Sequence, residues 1–111
     1  MNFRKIKMWT IIKFDKKKIE ELKKNFNKKL GSKPTFYIPK IKIQKNSRKK
    51  LNDYEFDILG DYAFCYHRDI SKNSVIYSLK NTIGLKYFLE GFSICQKQII
   101  DFIQKCKNYE N

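Results

Sequence analysis

At 111 residues the chain can build one hydrophobic core but not two independently stable ones, which argues against a multidomain architecture. Its 41% hydrophobic and 15% aromatic content, with only two prolines, gives enough apolar surface to offset chain entropy and excludes a disordered tail. The 25 Lys and Arg against 11 Asp and Glu leave a formal charge of +14, far beyond what solubility asks of a small domain, and imply a polyanionic neighbour.

In chain order, Met8 to Phe14 (MWTIIKF) is β-branched and aromatic and stops at Asp15, a residue able to cap a helix. This predicts the first strand. Over Lys16 to Leu30 the apolar positions Ile19, Leu22, Phe26 and Leu30 recur every three or four residues, and Gly31 follows, the pattern of an amphipathic helix with a lysine face. Thr35 to Gln44 alternates as a half-buried strand does, with Pro39 placing it at an edge or a bulge. Lys45 to Asn52 reads as a basic loop of a hairpin, and Leu59 to Tyr66 (LGDYAFCY) as the third strand. Ser71 or Asn73 can cap a short helix carrying Val75, Ile76 and Leu79, and Leu85 to Leu89 is a fourth strand. Ser93 and Gln96 have the spacing of a capping box, opening a last helix with Ile99, Phe102, Ile103 and Cys106 on one face.

The order β-α-β-β-α-β-α predicts an α+β domain. It is a two-layer sandwich, with a four-stranded, mainly antiparallel sheet flanked by helices and the other sheet face left for a partner. Three cysteines without paired spacing suggest neither a disulfide framework nor a zinc site, and the apolar run near the start is too short for a signal peptide or a membrane span. A reducing, cytoplasmic location is expected, with no membrane contact, no cofactor and no metal.

Catalysis is the weakest reading. The single histidine, His67, lies two positions from Cys65, but nothing in the sequence supplies the orienting third group of an activated thiol. Cys65 is expected in the core and His67 at the surface, while Asp53, Glu55, Asp57 and Asp61 read as a charge-balancing edge. The lysines say more. Codon usage in an AT-rich genome would also raise lysine content, but here the lysines cluster: Lys16, Lys17 and Lys18 occupy a helix start, and Lys45, Arg48, Lys49 and Lys50 a hairpin. Cations at a helix start oppose the macrodipole unless an anion lies nearby.

Tyr62-Ala63-Phe64 resembles the base-stacking aromatics of the RNA-recognition motif, whose element order is also β-α-β-β-α-β, although Gly60-Asp61 replaces the basic residue and glycine that precede them there. A wider resemblance spans about residues 8–105. Trp9 to Ile12 (WTII), a lysine-rich hairpin, Leu59 to Phe64 (LGDYAF) and above all Asn81 to Gly91 (NTIGLKYFLEG) resemble the N-terminal domain of the NusG family of transcription elongation factors, which includes RfaH-like paralogues. Gly60-Asp61 stands where that family has Pro-Gly.

The NusG resemblance implies a monomeric, non-enzymatic elongation or antitermination factor, one domain over residues 1–111, without a small-molecule substrate. Its partner would be the clamp helices of the largest RNA polymerase subunit, docked on an apolar sheet surface of Leu59, Tyr62 and Phe64 with Trp9, Phe88 and Ile94 as neighbours. It further implies contact of Asn81 and Thr82, helped by Lys80, with the non-template DNA strand of the transcription bubble, with Lys16, Lys17 and Arg48 near that DNA. No second, barrel-like KOW domain is read in the chain, so the couplings that domain makes to termination factor or ribosome are expected to be absent. The runner-up reading is a free RNA-binding module of the recognition-motif type.

Overall fold

The computed structural model describes residues 8–47 and 50–110, with residues 43–54 as backbone only. The elements are β1 (Trp9–Phe14), a single 3-10 turn (Lys16–Lys18), α1 (Ile19–Leu30), β2 (Thr35–Tyr37), β3 (Lys40–Ser47), β4 (Lys50–Asp57), β5 (Tyr62–Tyr66), α2 (Asn73–Leu79), β6 (Leu85–Phe88) and α3 (Gln96–Glu110). Four strands form an antiparallel sheet in the order β2-β5-β1-β6, and β3 and β4 form a separate two-stranded ribbon. With the ribbon set aside, the first and third strands lie at the centre and the helices connect across them, the split β-α-β arrangement. The α+β class with a four-stranded antiparallel sheet and flanking helices is as expected.

Local chemistry accounts for most boundaries. The Asp15 carboxylate accepts the Lys17 N–H at 3.1 Å, so the chain turns into helix directly after β1. Gly31, at φ 78°, ends α1 and donates its N–H to Asn27, a left-handed conformation that glycine adopts without a Cβ penalty. Pro39 has no N–H to give a ladder, and the strand expected over Thr35 to Gln44 breaks there into β2 and β3. The Pro39 carbonyl instead accepts the Ile58 N–H at 3.0 Å, closing the base of the ribbon.

Three expectations need correction. Lys45 to Asn52 is not simply a loop, since β3 and β4 pair from Lys40↔Asp57 to Ser47↔Lys50. Acids on one strand lie opposite bases on the other at Lys40↔Asp57 and Lys42↔Glu55, which stabilises a ribbon without burying it. Neither Ser71 nor Asn73 caps α2; Lys72 occupies the cap position, with no side-chain bond. Nor does Ser93 open α3, which starts at Gln96.

The sheet is covered on both faces. Ile12 and Phe14 of β1 and Ala63 and Cys65 of β5 point toward α1 and α2, where they pack with Leu22, Phe26, Ile70 and Leu79. Trp9, Ile11 and Phe64, on the opposite face by strand alternation, pack against Ile99 and Ile103 of α3 together with Tyr37, Leu59 and Phe92. The face expected to be free for a partner is therefore partly occupied by the protein's own last helix. Ala63, Phe64 and Cys65 are consecutive and all buried because apolar groups meet β5 on both sides. Among the described residues no helix is long and apolar enough to cross a membrane.

Candidate nucleic-acid and protein interface

Two sequence-distant segments meet at one end of the domain. The Asp15 N–H donates to the Gly84 carbonyl at 2.8 Å, and Gly84, at φ 91°, lies so close to the 3-10 turn that a Cβ there would be 3.0 Å from the Lys18 carbonyl oxygen. Thr82 adds a second tie. Its hydroxyl donates to the Leu79 carbonyl at 2.7 Å and accepts from the Lys29 ammonium at 3.0 Å. The turn from Lys80 to Gly84 is thus fastened to α1 beside Lys16, Lys17 and Lys18.

The six residues expected near nucleic acid have different surroundings. Lys17, Lys80 and Asn81 are exposed; the Lys80 ammonium sits over the Tyr77 ring, 5.6 Å from its centre. Lys16 is exposed and pairs with Asp57 at 3.0 Å, linking this end to the ribbon. Thr82 is 4% exposed and fully engaged, so its hydroxyl positions the turn. Arg48 lies outside the described residues, as does Lys49.

The expected apolar docking set is divided. Phe64 is 4% exposed beneath α3, with its ring 5.9 Å from that of Phe102. Trp9 is half-buried against Phe64 and Tyr66, and Leu59 is half-buried beside the same cluster. Phe88 belongs to the other face, because its pairing with Ile12 turns its ring toward α1, where it stacks on Phe26 at 6.3 Å. Ile94 is 86% exposed in the turn before α3. Phe88 therefore cannot share a surface with Tyr62 without unfolding the edge strand.

Tyr62 lies on the α3 side of the sheet and has company that the sequence did not reveal. Its hydroxyl meets that of Tyr87 at 2.9 Å, and the Lys13 ammonium stands 5.6 Å and 5.8 Å from the two ring centres. Register explains the grouping, since Lys13 pairs with Tyr62 on one side and Tyr87 on the other. The hydrogen bond with Tyr62 pushes the Tyr87 phenol up from its ordinary pKa, as expected if Tyr87 is the donor. A cation over two aromatic faces is favourable even when exposed.

Gln96, expected to cap α3, does something else. Its side-chain amide accepts the Trp9 N–H at 2.8 Å and donates to the Trp9 carbonyl at 2.7 Å, while also donating to Phe92. Those Trp9 backbone groups lie beyond the Ile12–Phe14 pairing with β6, so one amide replaces a missing strand neighbour. Gln96→Ala is expected to lower stability by about 1–2 kcal/mol through the unmet Trp9 groups, measured by urea unfolding; an unchanged midpoint would show that water substitutes for the amide.

The cysteine and histidine do not form a reactive pair. Cys65 is fully buried, and burial pushes its thiol up to about 12 against the opposing pull of Thr10. His67, expected at the surface, is 4% exposed. Its Nδ1 accepts the Asp69 N–H at 3.1 Å, so Nε2 carries the proton toward the Ser32 hydroxyl 2.6 Å away. Nε2 ties the end of β5 to the turn after α1 and Nδ1 fixes the turn that follows β5, so neither nitrogen is left to activate a thiol. In native protein, exposed Cys95 is expected to alkylate fully while Cys65 stays unmodified until denaturant is added; mass spectrometry of time points would reveal equal rates if this is wrong.

No protein-family model matches the chain. No curated protein matches it in sequence.

Proposed function

We propose that this domain is a non-enzymatic transcription elongation or antitermination factor of the NusG type, working in the cytoplasm, that docks on the clamp helices of RNA polymerase and touches the non-template DNA strand. The observation that carries the reading is the junction of the Lys16–Lys18 turn with the Lys80–Gly84 turn through Asp15, Lys29 and Thr82. It brings the segment to which the NusG resemblance gives DNA contact beside the lysine cluster at the start of α1, and a basic end suits a phosphate backbone. The paired ribbon with its lysines supports the same resemblance.

In this reading Leu59 and Tyr62, joined by Tyr87 and Lys13, carry the polymerase contact; Phe64 supports them from below, and Phe88 serves the core. Asn81, Lys80 and Lys17 face the DNA, with Thr82 holding the turn. Tyr62→Ala is expected to weaken polymerase binding about 10- to 100-fold, the range of an aromatic anchor, with little loss of stability because Tyr62 is only half-buried. Binding to core polymerase by the folded variant at wild-type affinity would remove the docking assignment.

The strand order and the Tyr62–Tyr87 pair also favour a second reading, a free RNA-binding module that stacks bases on its sheet. Against it, α3 covers Phe64 and part of Trp9, the positions from which a recognition motif would stack. Salt separates the two: free RNA binding falls steeply with ionic strength, whereas an apolar protein contact changes little.

A further inference from the structure

One row across the sheet is polar where the row beside it is apolar. On the α3 side, Ile11 and Phe64 pair across β1 and β5 and belong to the cluster packed under the last helix. Two residues further along the same strands, and so on the same face, Lys13 pairs with Tyr62, while Tyr87 of β6 flanks Lys13 on its other side. Tyr87 is 44% exposed, and Lys13 and Tyr62 are half-buried, so this row is open to a partner. A lysine on a central strand gives up part of its hydration there and gains ring faces in return, its ammonium standing 5.6 Å and 5.8 Å from the two ring centres. Among the described residues the ion pairs belong to Lys16, Lys40, His67, Arg68 and Lys72, and Lys13 has none. The two phenol hydroxyls meet at 2.9 Å. Whichever of them donates in that bond, the other keeps its O–H proton for an outside acceptor.

From this arrangement we infer that Lys13, Tyr62 and Tyr87 form a receptor for a single carboxylate side chain of a protein partner, with the half-buried Ile11 and Leu59 as its apolar rim. A carboxylate accepts from the ammonium and from the remaining phenol proton at once, in charge-assisted bonds that are shorter and stronger than neutral ones. The bond between the two phenols polarises the outward O–H and strengthens it as a donor. An acidic side chain fits better than a nucleic-acid backbone, because one cation beside apolar side chains matches one charge on an apolar surface and not a run of phosphates. The inference rests on the reading that this face docks on the clamp helices, and it adds the group recognised there: an Asp or Glu on their surface, with Lys13 as the residue that selects it.

The test measures binding of the full chain to core RNA polymerase. Lys13→Met, which keeps the length of the side chain and removes its charge, is expected to bind about 10-fold more weakly, Lys13→Arg within about 3-fold of the parent, and Lys13→Glu about 100-fold more weakly. Polymerase with acidic residues of the clamp helices changed to lysine, one at a time, should then bind Lys13→Glu more tightly than unaltered polymerase does at one position, which identifies the carboxylate. Thermal melts check that each variant keeps the fold of the parent, and the rescue of Lys13→Glu by a change in the partner cannot come from a folding defect. Parental affinity in Lys13→Met, or no rescue at any position, would overturn the inference while leaving the docking reading in place. A parent chain that does not bind polymerase would overturn both.

Discussion

Phe26→Ala is expected to lower stability by about 3–5 kcal/mol, the range for emptying an aromatic site in a packed core. Phe26 is fully buried and bridges the width of the sheet. Its ring lies 5.7 Å from Phe36 on one edge strand and 6.3 Å from Phe88 on the other. Removing it withdraws a ring in contact with both edge strands and leaves β2, three residues long, with its ladder to β5 and Tyr37 against Phe64. A domain of this size has about 5–15 kcal/mol in total, so Phe26→Leu, with its smaller loss, gives a graded point on the same urea series. A loss under about 1 kcal/mol for the alanine variant would mean that the edges are held elsewhere.

Gly84→Ala is expected to lose about 2–4 kcal/mol, from backbone strain at positive φ together with a steric clash. The new Cβ would meet the Lys18 carbonyl oxygen at 3.0 Å and Leu22 and Lys18 side-chain carbons at 3.2 Å, and a helical carbonyl cannot step aside as a side-chain tip can. Gly60 and Gly91 provide the control. Their φ values are 63° and 84°, but a Cβ at either meets nothing within 4 Å, so Gly60→Ala and Gly91→Ala should show the strain alone, about 1 kcal/mol. The Gly84 variant should also lose affinity for nucleic acid, since the Asp15–Gly84 hydrogen bond aligns the two lysine segments. Equal effects at all three glycines would contradict the close packing of the turn on the 3-10 segment.

The parts of the fold that follow local periodicity were legible in the sequence. The β-branched and aromatic run ending at Phe14 and the apolar stripe through Leu22 and Phe26 predict β1 and α1 because each is carried by residues within one element. The ribbon was half-seen. Asp53, Glu55 and Asp57 alternate with Tyr54 and Phe56, which is a strand period, but a strand paired by opposite charges carries no buried stripe to distinguish it from a loop.

What escaped the sequence was decided between elements. The Ile99–Ile103 stripe announced an amphipathic helix without saying which surface it would cover, and the surface proved to be the sheet face that carries Phe64. The assignment of Phe88 to the docking set failed for the same reason: in a four-residue strand, one step of register exchanges Tyr87 and Phe88 between faces. The Lys13–Tyr62–Tyr87 group and the Gln96 clamp on Trp9 join residues from distant segments, so no local spacing marks them. Of the nucleic-acid candidates, Lys16 and Lys17 come from charge clustering and Lys80 and Asn81 from the resemblance, and all four lie exposed. The buried role of Thr82 needed the fold.

The most direct test of the proposed function is binding of the purified chain to core RNA polymerase on an elongation scaffold, with an isolated clamp-helix fragment as competitor. The proposed function predicts saturable binding that the fragment abolishes and that Tyr62→Ala weakens about 10- to 100-fold. Binding that the fragment leaves untouched, or no polymerase binding alongside tight association with free RNA, would contradict it.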